Sequence, residues 1–208
     1  MTYRNLLVLA AVLAAATACN KKGPSSKNLA DAINIYYQAH PSCLWPNLKK
    51  FPIQASPDSA KSEGYDALVD AGLLTRTSTE KKVVIISKRE NNYDISQQGR
   101  GVWNADPLQP GYGNFCYGHR KVTSIDSNSP TSNQLGSTVT VNYHYKIVNV
   151  APWASNQETQ TAFPNLRENL SGPRAATATL TKTSNGWDLS SSGPSGPAPA
   201  AADGTIVH

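Results

Sequence analysis

The chain has no apolar run long enough to cross a bilayer: its longest, residues 6–16, holds eleven apolar residues, against the roughly 18 to 20 a spanning helix needs. Charge is scarce at 16% and hydrophobic residues are few at 39%. Ser, Thr, Asn, Gly and Pro fill the gap, a composition of strands and turns facing water. There is no H-E-x-x-H, no histidine pair at i,i+4 and no cysteine pair at C-x-x-C spacing. A zinc site needs three or four converging ligands, and His40, His119, His144 and His208 are scattered. No G-x-S-x-G elbow exposes a nucleophile, so His144 with an Asp and a Ser makes a triad on paper only. Gly99-Arg100-Gly101 and Gly111-Tyr112-Gly113 lack the third glycine and the flanking strand and helix of a phosphate-cradling loop. Both are expected to be flexible loop residues. No internal repeat is evident.

The N-terminus is informative. Arg4 is the single charge in the first eighteen residues, and the apolar stretch follows it. A positive start, a short apolar core and a small-residue exit are the parts of a secretory signal peptide. The exit, Ala16-Thr17-Ala18-Cys19, resembles the bacterial lipobox. That resemblance covers the signal and first mature residues, and it implies cleavage before Cys19, lipidation of Cys19 and anchoring to a membrane. It departs from the family at Ala16, where Leu is usual, and Ala16-Thr17-Ala18 also satisfies the A-x-A pattern of ordinary signal peptidase. Both routes cut the same bond. Asn20, not Asp, at the second mature position implies the outer membrane, facing the periplasm.

About 190 residues then remain, enough for one domain or two small ones. Losing Arg4 leaves 18 basic against 14 acidic side chains, a net of +4, which steers weakly toward anionic partners. Export disfavours nucleic acid as a partner. If the lipid takes Cys19, Cys43 and Cys116 remain in an oxidising compartment, where two thiols normally close a structural bridge. The rival, a redox or metal pair, lacks supporting ligands; no cofactor or metal is expected.

The fold class expected is α+β, with N-terminal helices and a β-hairpin followed by a β-rich antiparallel half. Residues 1–18 are the signal, 19–26 a lipidated tether, 27–127 the helix and hairpin half holding the bridge, 137–190 the β-rich half and 191–208 a disordered tail. Leu29, Ile33, Tyr36 and Tyr37 recur at helical spacing over 27–39, with Ser26 as cap and Pro41 as stop. The segment from Leu44-Trp45-Pro46 to Phe51-Pro52-Ile53 is expected over that helix. A second helix spans 62–71, with Tyr65, Leu68 and Val69 inward and Gly72 as its stop. Residues 82–87 suggest a buried strand, Asn91-Asn92 a turn and Tyr93 onward the returning strand. Two helices before a hairpin have a layout similar to a winged-helix module, which in an exported chain implies a scaffold or protein-binding surface.

Residues 99–113 are expected to be irregular, and Phe115-Cys116-Tyr117 to enter a strand through Val122 and Ile125. The polar loop at 127–136 is the expected boundary between halves. Beyond it, Val139, Val141, Tyr143, Tyr145 and Ile147 alternate with polar residues, giving one face to a core and one to water. Ser155-Asn156-Gln157-Glu158 matches a capping box, opening a short helix that Pro164 interrupts. Ala176, Ala178 and Leu180 line one face of a last hairpin, Asn185-Gly186 suggests a type I′ turn, and Trp187 and Leu189 return.

The functional expectation is a non-enzymatic binding or assembly role toward another envelope protein. Its contact is placed within residues 99–121, on Trp103, Tyr112, Tyr117, Arg100, Arg120 and Lys121, since aromatic rings beside cations anchor partners. The rival account of these rings is that they fill small cores around the bridge. A cell-wall glycan or lipopolysaccharide binder and an envelope hydrolase are the alternatives.

Overall fold

The computed structural model describes residues 23–83 and 86–189. The expected signal, Cys19 and the tail at 191–208 lie outside them. Among the described residues, helices α1 (Ser26–Ala39), α2 (Ala60–Asp70), α3 (Gln97–Arg100), α4 (Gln157–Ala162) and α5 (Pro164–Leu170) accompany ten strands. The α+β class, with a β-rich second half, is as the patterning suggests.

The organising element is β7 (Tyr112–Asn128), seventeen residues long. Its first part pairs with β2 (Lys49–Lys50), β6 (Trp103–Ala105) and β1 (Ser42–Cys43), its second with β8 (Thr138–Val148). β9 (Arg174–Thr183) and β10 (Gly186–Leu189) extend the same seven-stranded antiparallel sheet. The 127–136 segment, expected to divide two halves, therefore joins β7 to its own partner β8. A second sheet of three strands has β5 (Ile86–Ile95) between β3 (Ile53–Ala55) and β4 (Leu74–Val83).

Two apolar cores result, and neither follows chain order. In the first, α1 lies across the large sheet from β7 to β10, burying Leu29, Ala32, Ile33 and Tyr37 on Val139, Val141, Tyr143, Tyr145, Ala176, Ala178, Leu180 and Leu189. The period-two faces of β8 and β9 meet the helical stripe of α1; Tyr36 packs at its margin and the Tyr37 and Tyr143 hydroxyls are 2.6 Å apart. The second core gathers Leu44, Trp45, Tyr65, Leu68, Leu73, Leu74, Tyr93, Phe115 and Tyr117 with Trp153, Ala154, Phe163 and Leu166 from late in the chain. The Leu44-to-Ile53 segment thus packs in this second core and not over α1. Trp45 is held there by Asn114, whose side chain accepts from the Trp45 N–H and donates to its C=O at 3.2 and 2.7 Å. A side chain replaces a strand neighbour, so both buried backbone groups stay satisfied.

Several local expectations are corrected. The cap of α1 is Ser25, in extended backbone, accepting from Asn28 N–H; Ser26 is already helical. Val83 pairs with Ile86, so the 82–87 run expected to be one strand is divided between β4 and β5. Asn91 and Asn92 form no turn: they lie inside β5 opposite Ser78 and Thr77. The buried Asn91 amide accepts from Ser78 Oγ and donates to Tyr93 Oη, which removes its need for a turn. Asn156, not Ser155, takes the N-cap position of α4, because Pro152 opens a 3-10 turn that uses Ser155 as its last residue. In the last hairpin Thr183 pairs with Gly186, leaving Ser184 and Asn185 as the loop. A type I′ turn needs positive φ at both central residues, and here the positive φ falls on Gly186. The helix stop at Gly72, with φ +75, is as read.

Candidate partner-binding surface

The residues expected to form one contact are distributed over the core, its rim and the surface. Cys43 and Cys116 face each other across β1 and β7 and are disulfide-bonded, so Cys116 supplies no thiolate beside His119. Tyr117 is only 2% exposed. Its hydroxyl accepts from Asn169 Nδ2 at 2.8 Å, and its ring belongs to the second core. Tyr117 is corrected from contact to core residue. Trp103 is half-buried, edge-on to Phe115 and Phe51 at 4.9 and 5.6 Å between ring centres. It also lies over Gly113, where a Cβ would stand 2.5 Å from the indole. The Gly111 and Gly113 pair is thus not a loose loop: Gly111 holds φ +84 and Gly113 is where a ring crosses a strand.

Arg120 is also turned inward in part. Its guanidinium stands 5.4 Å from the Tyr37 ring and 5.1 Å from the Tyr145 ring, a cation on two aromatic faces. Arg100, in the last turn of α3, and Lys121, opposite Lys146 in β8, are exposed.

To Tyr112, already singled out in the sequence, the structure adds Leu108, Val102 and Asp106. The turn from β6 to β7 leaves Leu108 86% exposed and Tyr112 36% exposed, with Val102 43% exposed just before β6. Asp106 organises this turn. Its carboxylate accepts from Leu108 N–H at 2.8 Å and Gln109 Nε2 at 3.2 Å, and its own N–H donates to Tyr112 C=O at 2.8 Å. Tyr112 N–H closes on Gln109 C=O at 2.9 Å. Lys50 Nζ sits 5.5 Å from the Tyr112 ring centre. The available signal was Asp106-Pro107-Leu108-Gln109-Pro110-Gly111, a leucine amid turn residues, which a turn cannot bury.

The histidines do not converge. His40 Nδ1 lies 2.8 Å from Tyr36 C=O and His119 Nδ1 3.2 Å from Tyr37 C=O; His208 is outside the described residues. His144 Nδ1 is 2.7 Å from Asp126 Oδ2, and Ser124 Oγ donates to Asp126 Oδ1 at 2.9 Å. A hydrolytic triad needs the serine on the second ring nitrogen; here it is bound to the carboxylate, on an open sheet face. Among the described residues no three His, Cys, Asp or Glu side chains gather as a metal site. A cavity of about 320 Å³ is lined by Ala67, Asp70, Ala71, Asn156, Glu158 and Thr159 and shares no residue with the β6–β7 turn.

The buried phenols carry a pH dependence. Burial raises Tyr117, Tyr143, Tyr145 and Tyr93 above the usual tyrosine value, and Tyr37 reinforces the rise at Tyr143. Above about pH 10 the unfolded chain releases phenolic protons that the folded chain retains. The unfolded state then binds fewer protons, so stability falls as pH rises. Full stability below pH 10, and above it phenolate absorbance rising together with loss of circular dichroism, is the expected titration. Complete phenol ionisation with unchanged dichroism would contradict it.

No protein-family model, curated protein or solved structure matches the chain.

Proposed function

We propose that this chain is an exported lipoprotein, acylated at Cys19 and held on the outer membrane facing the periplasm, whose folded body binds another envelope protein through the β6–β7 turn. The address rests on the lipobox-like Ala16-Thr17-Ala18-Cys19. The binding role rests on one observation: Leu108 is presented almost fully to solvent on a turn already fixed by hydrogen bonds. A pre-ordered apolar anchor loses little entropy on docking. Tyr112, with Lys50 Nζ 5.5 Å from its ring centre, adds an aromatic face and a cation beside that turn. The α2 and β4–β5 unit, with its winged-helix-like layout, serves as scaffold.

The test is mild in-cell crosslinking, capture of the lipidated protein and mass spectrometry of what is attached. One dominant envelope protein is expected, lost with Leu108→Asp and Tyr112→Ala at unchanged expression. Palmitate labelling is expected in the parent and absent in Cys19→Ser. A bound protein indifferent to the turn variants overturns the contact; an unlabelled parent overturns the anchor.

A further inference from the structure

Helices α2 and α4 come from distant parts of the chain and pack against each other. Between them lies the cavity of about 320 Å³, with Ala67, Asp70 and Ala71 from one side and Asn156, Glu158 and Thr159 from the other. That volume is at the lower end of small-molecule sites, which run from about 300 to 1,000 Å³.

The lining is one-sided in charge. Two of the six lining residues are carboxylates and none is basic. Asp70 and Glu158 are exposed, and neither carboxylate has an ion pair or hydrogen bond among the described residues. Asp70 is also the last residue of α2, an eleven-residue helix, and the C-terminal end of a helix favours cations. Asn156 holds the N-cap position of α4 without a capping bond from its side chain, which leaves its amide oxygen uncommitted.

Thr159 supplies an independent observation. It is 0% exposed, and its Oγ1 has no hydrogen-bond partner among the described residues. A threonine in a helix commonly turns its hydroxyl back to a carbonyl one turn earlier. Thr161 in the same helix does so, donating to Gln157 C=O at 2.8 Å, and Thr159 does not. Buried polar groups without a partner are rare in folded proteins, and this one belongs to the wall of a cavity.

We propose that the α2–α4 cavity is a binding site for a small alkylammonium group. Asp70 and Glu158 hold the charged head, Thr159 Oγ1 accepts one of its N–H bonds, and the attached methylenes lie over Ala67 and Ala71. A water molecule would satisfy the hydroxyl but leave both carboxylates without a counter-charge. A bare metal ion would supply the charge but fill little of the space and gain nothing from two alanine methyls. A free aliphatic amine and the lysine side chain of another molecule both present this head on a short methylene chain. The site shares no residue with the β6–β7 turn and does not depend on it.

The experiment follows amide chemical shifts of the chain from residue 19 with Cys19→Ser, which retains every described residue. Diaminobutane is added at constant ionic strength. A saturable change centred on the lining residues of α2 and α4 is expected, with a Kd of about 1 mM. Butanediol, of the same length without charge, and calcium or potassium chloride should produce no such change. Asp70→Asn with Glu158→Gln, and Thr159→Val alone, are each expected to weaken binding about tenfold. Thr159→Val should fold at least as stably as the parent, since it removes an unpaired hydroxyl. Asp58→Asn with Asp188→Asn takes the same charge from elsewhere on the surface and should leave affinity unchanged. Lysine blocked at both its α-amino and carboxyl groups separates the two sources. Tighter binding than the diamine assigns the site to a partner's side chain, weaker binding to a free amine, and either supports an alkylammonium site. No saturable change with either ammonium compound, an equal response to the diol or the salts, or undiminished binding by the carboxylate variant overturns the proposal. So does a Thr159→Val variant that gains stability and binds as the parent does, which would make the hydroxyl a packing defect alone.

Discussion

Replacing Cys43 and Cys116 together by alanine is expected to lower stability by about 4 kcal/mol on the chain-entropy account of a loop this long. The two residues are 73 apart in sequence, so the open chain regains the freedom of more than a third of the protein. The loss has a local side as well. β1 is two residues long and has little pairing of its own to hold it on β7. Leu44 and Trp45 follow at once, both in the second core, with Leu44 N–H donating to Phe115 C=O at 2.9 Å. Releasing β1 therefore loosens the entry of two core side chains. For a body of this size the change corresponds to a melting temperature lower by about 10 °C. Thermal unfolding of the alanine pair beside the oxidised parent measures it, and reductant added to the parent should reproduce the shift. A drop below about 3 °C would mean that the bridge is secondary to packing.

Gly99→Ala should cost about 3 kcal/mol, at the upper end of what overpacking a tight site incurs. A Cβ at position 99 would stand 2.0 Å from Leu73 C=O oxygen and 3.2 Å from Ile95 Cγ2. The obstruction is backbone, and it is anchored: Leu73 C=O accepts from Ser96 N–H at 3.0 Å, and Ser96 Oγ accepts from Gly99 N–H at 2.8 Å. Space can be made only by moving α3 off the end of α2, which breaks those bonds. Gly101→Ala is the matched control. Its φ is −69° and its nearest contact would be Gln98 C=O at 3.3 Å, so a change within about 1 kcal/mol is expected. Chemical denaturation of both variants decides the matter. Equal effects would show that α3 yields freely and that the close approach has no energetic weight.

That pair of glycines shows why part of the molecule was not legible in advance. Gly99 and Gly101 sit in one short motif and looked alike, both loop residues. One is pressed against a carbonyl 26 positions earlier in the chain, and nothing local announces it. The candidate contact divides in the same way. Tyr117 and Trp103 had the composition of a binding surface, but alternation along β7 buries Phe115 and Tyr117 together. Leu108 had no partner residues in sequence to recommend it and became the most exposed of the large apolar side chains described.

Regular periodicity was decisive where a pattern was long enough to allow one answer. Val139 to Tyr145 and the Ala176–Leu180 face each bury what their spacing implies, because a one-residue slip would turn the whole set to water. The pairing of Cys43 with Cys116 followed from there being no other cysteine for them once Cys19 is assigned to the lipid. Tertiary structure alone decided which faces meet. It drew α1 onto strands more than a hundred residues later and brought Trp153 and Phe163 back among residues of the first third. Burial is a property of the assembled surface, so a short apolar run reads alike in sequence whether a core or open water awaits it.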